Sequence, residues 1–129
     1  MKKGRRPEAV SPPRSNCPIS GSLELFGDRW TLVVIRDLFR GRSRYGDFLR
    51  EPEHIPTNIL ADRLVRLEKA GLVTRSPYQD NPPRYAYRLT PKGLGLGPVI
   101  AALAIWGQRN LADTALDKEL FALLRSRAD

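Results

Sequence analysis

Three polar side chains follow one another at helical spacing in the middle of the chain. Asn58, Asp62 and Arg66 are four residues apart and would share one face of a helix. Their amide, carboxylate and guanidinium groups offer both donors and acceptors, the chemistry that reads base edges in the major groove of DNA. The opposite face is apolar and is formed by Leu60, Leu64 and Leu67. The pattern predicts a helix that buries one side and presents the other to a partner or to solvent.

Residues suited to catalysis or metal binding are scarce. The chain has one histidine, His54, and one cysteine, Cys17. These cannot supply a nucleophile, a base and an orienting group, or a metal-ligand set, so we expect no enzyme, no cofactor and no metal. His54 is interpreted as an exposed loop residue. A single cysteine cannot form an intramolecular disulfide, which fits a reducing compartment.

Positive charge is concentrated in two parts of the chain. The net charge is +8; residues 1–16 contribute +4 from five basic groups and one acid, and residues 42–92 contribute +4 from ten and six. The excess fits a polyanionic partner as well as a bland basic surface. Residues 1–16 lack the apolar core of a signal peptide, and no apolar run reaches the ~18 residues of a membrane span. We therefore expect a cytoplasmic protein that does not enter a membrane.

The elements around the polar helix are predicted in the order of a winged helix-turn-helix. Periodicity indicates helices over about 18–26, 30–39, 45–49 and 56–70, then a hairpin with strands 72–75 and 84–89 around a polar turn at residues 79–83. In this fold the second helix of the turn, here about 56–70, enters the major groove. The hairpin, or wing, about 72–89, reaches the adjacent groove or the backbone. The expected class is mainly α with a small β-hairpin wing.

Two more helices are expected after the wing. Thr90 would cap a fifth helix that reaches Trp106 and is apolar on more than one face, which one small domain cannot cover. This excess predicts a homodimer. Trp30 and Trp106 are assigned to the core in preference to an effector pocket. The expected organisation is a flexible basic arm over 1–16, a DNA-binding domain with dimerisation helices over 17–108, and a C-terminal helix over 109–129, its helical part at about 113–127.

Ordered motifs over residues 17–107 resemble the HxlR-type transcriptional regulators, relatives of the MarR group in bacteria. The similar stretches include 27–32 (GDRWTL), 41–49 (GRSRYGDFL) and 82–93 (PPRYAYRLTPKG). The resemblance implies a homodimeric regulator that binds a double-stranded DNA operator. Its dimer interface would use the first helix and the helices after the wing. Some members of this family respond to oxidants or quinones through a cysteine at the position of Cys17. Residues 1–16 and 109–129 lie outside the family pattern.

The candidate DNA contacts fall into three groups. The first faces the major groove: Thr57, Asn58, Ile59, Asp62 and Arg66. Arg44 and Arg50 are expected to approach phosphates, and Asn81 and Arg84 belong to the wing contact. Ile59 and Val65 are interpreted as aliphatic residues on the outer face, where they could meet thymine methyl groups.

Two features outside that surface carry their own hypotheses. Cys17 precedes Pro18 at a helix start, where the helix dipole favours a thiolate and Arg14 is near in sequence, so it is a candidate redox or electrophile sensor. A small capping or packing residue is the equal alternative. The basic arm is expected to add affinity without much specificity, and a solubilising or cloning-derived tail is its alternative.

Two other uses of a winged helix remain open from the sequence. One is an RNA- or ribosome-associated protein, since charge does not distinguish duplex DNA from RNA. The chain lacks the clustered exposed aromatics of single-strand RNA readers, and Tyr45, Tyr85 and Tyr87 are expected to pack in the core or at its rim. The other is a module used only for protein interaction, which would show no salt-dependent binding to DNA.

Overall fold

A computed structural model describes residues 14–126 of the chain. The elements are α1 (Pro18–Phe26), α2 (Thr31–Phe39), α3 (Tyr45–Leu49), α4 (Thr57–Lys69), β1 (Val73–Asp80), β2 (Pro83–Leu89), α5 (Pro91–Leu94), α6 (Gly97–Asn110) and α7 (Lys118–Ser126). The expected class, mainly α with a β-hairpin wing, is confirmed. Nearly all of the predicted arm over 1–16 lies outside the described residues.

Local signals explain where α2 and α4 begin and end. Asp28 lies before α2, and its carboxylate accepts hydrogen bonds from the backbone N–H groups of Trp30 and Thr31 at 2.9 and 3.1 Å. After α2 and α4 the chain passes through Gly41 and Gly71 with φ of 87° and 79°. These values favour glycine, because a Cβ atom is strained in the left-handed region. Both helices therefore end where the sequence predicts.

The core lies between α2, α3, α4 and the base of the wing. The predicted leucine face of α4 is buried at all three positions, and Ile35, Phe39 and Phe48 pack in the same cluster. Val73 and Tyr87 extend this cluster into the first residues of the wing. Burial of a large aliphatic or aromatic side chain stabilises a fold by ~1.5–3 kcal/mol. The polar face of α4 is consequently held on a rigid support.

The wing is an antiparallel pair that runs from Val73↔Leu89 at its base to Asp80↔Pro83 at its tip. The pairing shifts once, between Pro77 and Gln79. The strands are longer than predicted, since the turn was expected to occupy residues 79–83. That expectation failed because both faces of the outer wing are exposed, which removes the apolar alternation by which a strand is recognised.

The segment after the wing differs from the single helix that the sequence predicts. Thr90 does cap α5, since its hydroxyl accepts a hydrogen bond from the Gly93 N–H at 3.1 Å, but that helix ends at Leu94. A second helix, α6, starts at Gly97, where an added Cβ would lie 2.2 Å from the carbonyl oxygen of Leu124. Residues 95 and 96 therefore separate the two helices, and the missing Cβ of Gly97 admits the close approach of the Leu124 backbone.

The last helix, α7, is shorter than predicted and packs against α6 and α2. It starts at Lys118 rather than near 113, because Asp113 has φ of 62° and cannot continue a helix. Asp117 caps α7 by accepting a hydrogen bond from the Leu120 N–H at 3.0 Å. Leu120 and Leu124 are buried. Between residues 14 and 126, no helix has the length and apolar character needed to cross a bilayer.

Candidate nucleic-acid interface

The outward face of α4 carries most of the predicted base-reading residues. Thr57, Asn58 and Asp62 are exposed and Arg66 is half-buried, so these four polar side chains remain candidates for groove contacts. Ile59 differs from the expectation. It is half-buried and packs against the core, because its position lies at the edge of the leucine face. Val65, half of whose surface is exposed, is the aliphatic residue available on that face.

Arg63, which sequence reasoning missed, joins the middle of α4 to Asp28, just before α2. Its guanidinium donates to the carboxylate of Asp28 at 2.9 Å and also pairs with Asp62. Burial opposes the charge on Asp28, but hydrogen bonds from the Thr31 hydroxyl and Arg63 outweigh it and hold the pKa of Asp28 well below its ordinary value. The carboxylate of Asp62 is thus already shared with Arg63 in the free protein.

The arginines of the helix-turn-helix and wing fall into two groups. Arg50, predicted to approach a phosphate, is paired with Asp47 at 2.9 Å. Among residues 14–126, four other arginines of this region have no carboxylate within 4.0 Å: Arg44, Arg66, Arg84 and Arg88. A cation without an ion pair binds a phosphate without first giving up a partner. These four are the strongest phosphate-binding candidates.

The wing presents its own basic face. Arg84 and Arg88 are both exposed on β2, and they are four residues apart, so they point to the same side of the strand. Asn81 is exposed at the tip. Arg88 was missed from the sequence, although the alternation of buried Tyr87 with its neighbours could have placed it outward. The base of the wing is joined to α3, because the Tyr87 N–H donates to the Ser43 carbonyl at 2.8 Å.

A charged cluster on α2 positions the turn before α4. Arg36 donates to both carboxylate oxygens of Glu53, at 2.6 and 2.9 Å, and to Asp37 at 3.0 Å. Arg42 bonds to Glu51 at 2.9 Å. Asp37 is buried, and that burial raises the pKa of its carboxyl to about 6 in spite of the neighbouring Arg36. Sequence reasoning missed this cluster, because its partners are up to 17 residues apart in the chain.

Cys17 and its surroundings agree only partly with the prediction. The thiol is exposed, and the backbone N–H groups of Ser20 and Ile19 at the start of α1 lower its pKa. Arg14 does not assist as expected, since its guanidinium pairs with Glu24 at 2.6 Å. His54 is exposed in the connection before α4. Within the described part of the chain, no cluster of three or more potential ligands could hold a metal ion.

Apolar side chains are exposed on α1 and α6. Ile19 and Leu23 are 72% and 51% exposed on α1, while Leu103 and Trp106 are 53% and 60% exposed on α6. Trp30 is buried as predicted, but the assignment of Trp106 to the core is wrong for the single chain. More than half of the Trp106 surface is thus left uncovered by residues 14–126.

Comparison with known proteins gives a consistent family. A model of the HxlR-like helix-turn-helix matches residues 25–115. A relative in Mycobacterium tuberculosis H37Rv, named an uncharacterized HTH-type transcriptional regulator, is 41% identical over 93 residues, which cover 72% of this chain and 58% of the relative. The chain thus matches less than two thirds of that relative's length.

Two solved structures share the fold. The redox regulator HypR in its reduced form has a TM-score of 0.68 and 29% identity, with 74% of this chain and 95% of HypR covered. The reduced form of the transcriptional regulator YodB from Bacillus subtilis has a TM-score of 0.62 and 28% identity, with 78% of this chain and all of YodB covered. With the family match over residues 25–115, the chain belongs to the HxlR-like helix-turn-helix family.

Proposed function

We propose that this protein is a sequence-specific DNA-binding transcriptional regulator that acts as a homodimer. The observation that carries the proposal is the surface formed by the polar face of α4 and the unpaired Arg44, Arg66, Arg84 and Arg88 around it. A helix of this width fits the major groove, and cations on either side of it neutralise phosphates. The Mycobacterium tuberculosis relative is named an HTH-type transcriptional regulator and YodB a transcriptional regulator, and both names agree with this use.

The proposed contacts divide between base reading and positioning. Asn58 and Arg66 donate to base edges, with Thr57 and Asp62 beside them, and Val65 is placed to meet a thymine methyl group. Arg44 binds a phosphate next to α3. Arg84, Arg88 and Asn81 follow the backbone or the adjacent groove from the wing. Arg50 contributes less than Arg44, since Asp47 already neutralises it.

The homodimer is proposed from the exposed apolar residues of α1 and α6. Ile19, Leu23, Leu103 and Trp106 stay in water in a single chain, and burial of such side chains is the main driving force for association. A twofold dimer would place two copies of α4 for two half-sites about 34–36 Å apart, one turn of DNA.

Selection of duplexes from a random DNA library tests the proposal directly. The full-length protein should enrich one motif with twofold symmetry, and its affinity should fall steeply with salt. An RNA duplex of the same sequence serves as the control for the RNA- or ribosome-associated alternative. Enrichment of no motif together with salt-insensitive or absent binding would favour a module used only for protein interaction.

Regulation through Cys17 is the second proposal, favoured by its exposure and lowered pKa. The neighbour HypR is named a redox regulator. A diamide molecule takes up two electrons and two protons as Cys17 and a second thiol, either a small thiol or Cys17 of the other subunit, form a disulfide. Operator binding before and after diamide or a quinone should change in the wild type and not in Cys17→Ser. Identical binding by oxidised wild type and variant would assign Cys17 a structural role.

A further inference from the structure

Tyr78 lies where the two strands of the wing change register. Pro77 pairs with Tyr85 and Gln79 pairs with Arg84, so Tyr78 has no partner across the ladder. Such an extra residue forms a β-bulge, and its side chain departs from the regular alternation of side chains between the two faces of a strand. Tyr78 accordingly lines the same cleft, of about 230 Å³, as Tyr45, Tyr85 and Tyr87. The bulge thus aims one wing tyrosine back toward α3.

Arg44 meets that tyrosine. Its guanidinium carbon lies 3.8 Å from the centre of the Tyr78 ring, a close cation–π contact. A guanidinium stacked by its face keeps the N–H groups of its edge directed outward. No carboxylate among residues 14–126 lies within ion-pair distance of Arg44, whereas Arg50 on the other end of α3 is paired with Asp47. Arg44 is thus both held in place and unpaired.

The backbone under Arg44 is fixed independently of its side chain. The Asp47 carboxylate accepts hydrogen bonds from the N–H groups of Ser43 and Arg44, each at 3.1 Å. The Ser43 carbonyl accepts the bond from Tyr87 that ties α3 to β2. What remains free to vary is the rotamer of the arginine, and ordering a long, flexible side chain costs conformational entropy. The contact with Tyr78 restrains that rotamer.

We propose that Tyr78 is the positioning residue for Arg44. The wing bulge orients the guanidinium toward a DNA phosphate, so that the start of α3 and the wing contact the DNA backbone together. The inference rests on the proposed DNA-binding function. It assigns the middle of β1 a role in affinity that involves no contact between Tyr78 and a base. It also explains why the residue is aromatic at an exposed position of an otherwise polar strand.

The test is a double-mutant cycle on the full-length protein. Binding is measured by fluorescence anisotropy at several salt concentrations, to a selected operator duplex and to an unrelated duplex of equal length. Tyr78→Leu keeps an apolar side chain but removes the aromatic face, and it should weaken binding to both duplexes alike by about 3- to 10-fold, the range that a cation–π contact supports. Tyr78→Phe keeps the ring and should bind as the wild type does.

The decisive comparison is made without Arg44. In an Arg44→Ala background, Tyr78→Leu should cause no further loss, since the two residues act through one contact. A purely structural role would instead lower affinity equally in both backgrounds, and that result overturns the proposal. So does unchanged or tighter binding by Tyr78→Leu, the latter because the stack would then withhold Arg44 from DNA. A wild type that binds neither duplex contradicts the proposed function itself, whereas wild-type binding with an unaffected Tyr78→Leu contradicts the role of Tyr78 alone.

Discussion

The helix-turn-helix and the helices that flank it differ in how much of their apolar surface is buried within one chain. In α2 and α4 the apolar face is buried within the chain, and Leu60, Leu64 and Leu67 have at most 1% of their surface exposed. In α1 and α6 large apolar side chains such as Leu103 and Trp106 stay more than half exposed. We call the first region complete, because one chain buries its apolar face, and the second incomplete, because its apolar side chains would be buried only in the proposed dimer.

The largest effect is expected from a charge on the incomplete region. Trp106→Asp places a carboxylate in the proposed dimer interface, where its desolvation opposes association. Light scattering at micromolar concentration should then give the single-chain mass of 14.6 kDa, against twice that for the wild type. Val65→Asp is the matched control, because Val65 is likewise an exposed apolar residue but lies on α4.

That control should remain dimeric. A wild-type protein that is monomeric at this concentration, or a Trp106→Asp variant that is still dimeric, would remove the basis for calling α1 and α6 incomplete. Far-ultraviolet circular dichroism distinguishes loss of the dimer from loss of the fold.

A second prediction concerns a buried carboxyl group inside the complete region, whose ionisation lowers the stability of the fold. Burial raises the pKa of Asp37 from 3.8 to about 6, so the folded state binds this proton more tightly than the unfolded state. Ionisation therefore destabilises the fold; the penalty is absent below about pH 4 and complete above about pH 6. Relative to wild type, Asp37→Asn should gain up to about 3 kcal/mol of unfolding free energy between pH 4 and pH 7.5, measured by urea denaturation.

Asp117 supplies a control, because its pKa is shifted in the opposite direction to that of Asp37. The backbone N–H of Leu120 and the Arg40 side chain lower the pKa of this exposed carboxyl. Its contribution to stability is present above the ordinary pKa of aspartate and is lost as the pH falls through the lowered value. Asp117→Asn should thus lose stability relative to wild type as the pH rises from 2 to 5. A difference between Asp37→Asn and wild type that does not change with pH would contradict the assignment.

The sequence predicted the first region better than the second, and the reason is physical. The helix faces of α2 and α4 are buried by neighbours in the same chain, so their periodicity appears directly in the sequence. Trp106 is exposed in the single chain, and its burial in the proposed dimer would need a surface from a second copy. The start of α6 lies against the backbone of Leu124, a residue far from Gly97 in the sequence. Neither is a local pattern.

The sequence predicted which residue types form the candidate site, but not which of its arginines form ion pairs. Asn58 and Arg84 are exposed as their positions suggested. Whether an arginine is already neutralised depends on contacts that sequence spacing does not resolve: Arg50 pairs with Asp47, while Arg44 stacks on Tyr78, which lies 34 positions later by subtraction. The bulge that makes this contact follows from strand register, which the turn prediction misplaced.

A third prediction separates base reading from phosphate binding on the complete region. Replacing Asn58 or Arg66 by alanine should reduce the preference for the operator over unrelated DNA by ~1–3 kcal/mol. Arg44→Ala should weaken binding to both and reduce the salt slope by about one. Arg50→Ala is the matched control for Arg44, and its smaller effect would follow from the ion pair with Asp47.

Anisotropy titrations against both duplexes at four salt concentrations give these quantities together. Equal losses on operator and unrelated DNA for Asn58→Ala and Arg66→Ala would show that α4 does not read bases. An effect of Arg50→Ala as large as that of Arg44→Ala would show that ion pairing in the free protein does not rank the arginines.

The smallest effect is expected from the N-terminal arm. The arm belongs to neither of the two regions, but its positive charge would add to the DNA affinity of the first. Deletion of residues 1–13 removes Lys2, Lys3, Arg5 and Arg6 but keeps Arg14, whose partner is Glu24. Cations on such a segment follow phosphates without reading bases, so affinity should fall mainly at low salt, and equally for operator and unrelated DNA. A variant of full length with these four residues replaced by glutamine separates charge from chain length. Wild-type binding by both variants at every salt concentration would mean that the arm only solubilises the protein, and that the whole DNA-binding charge resides in the complete region.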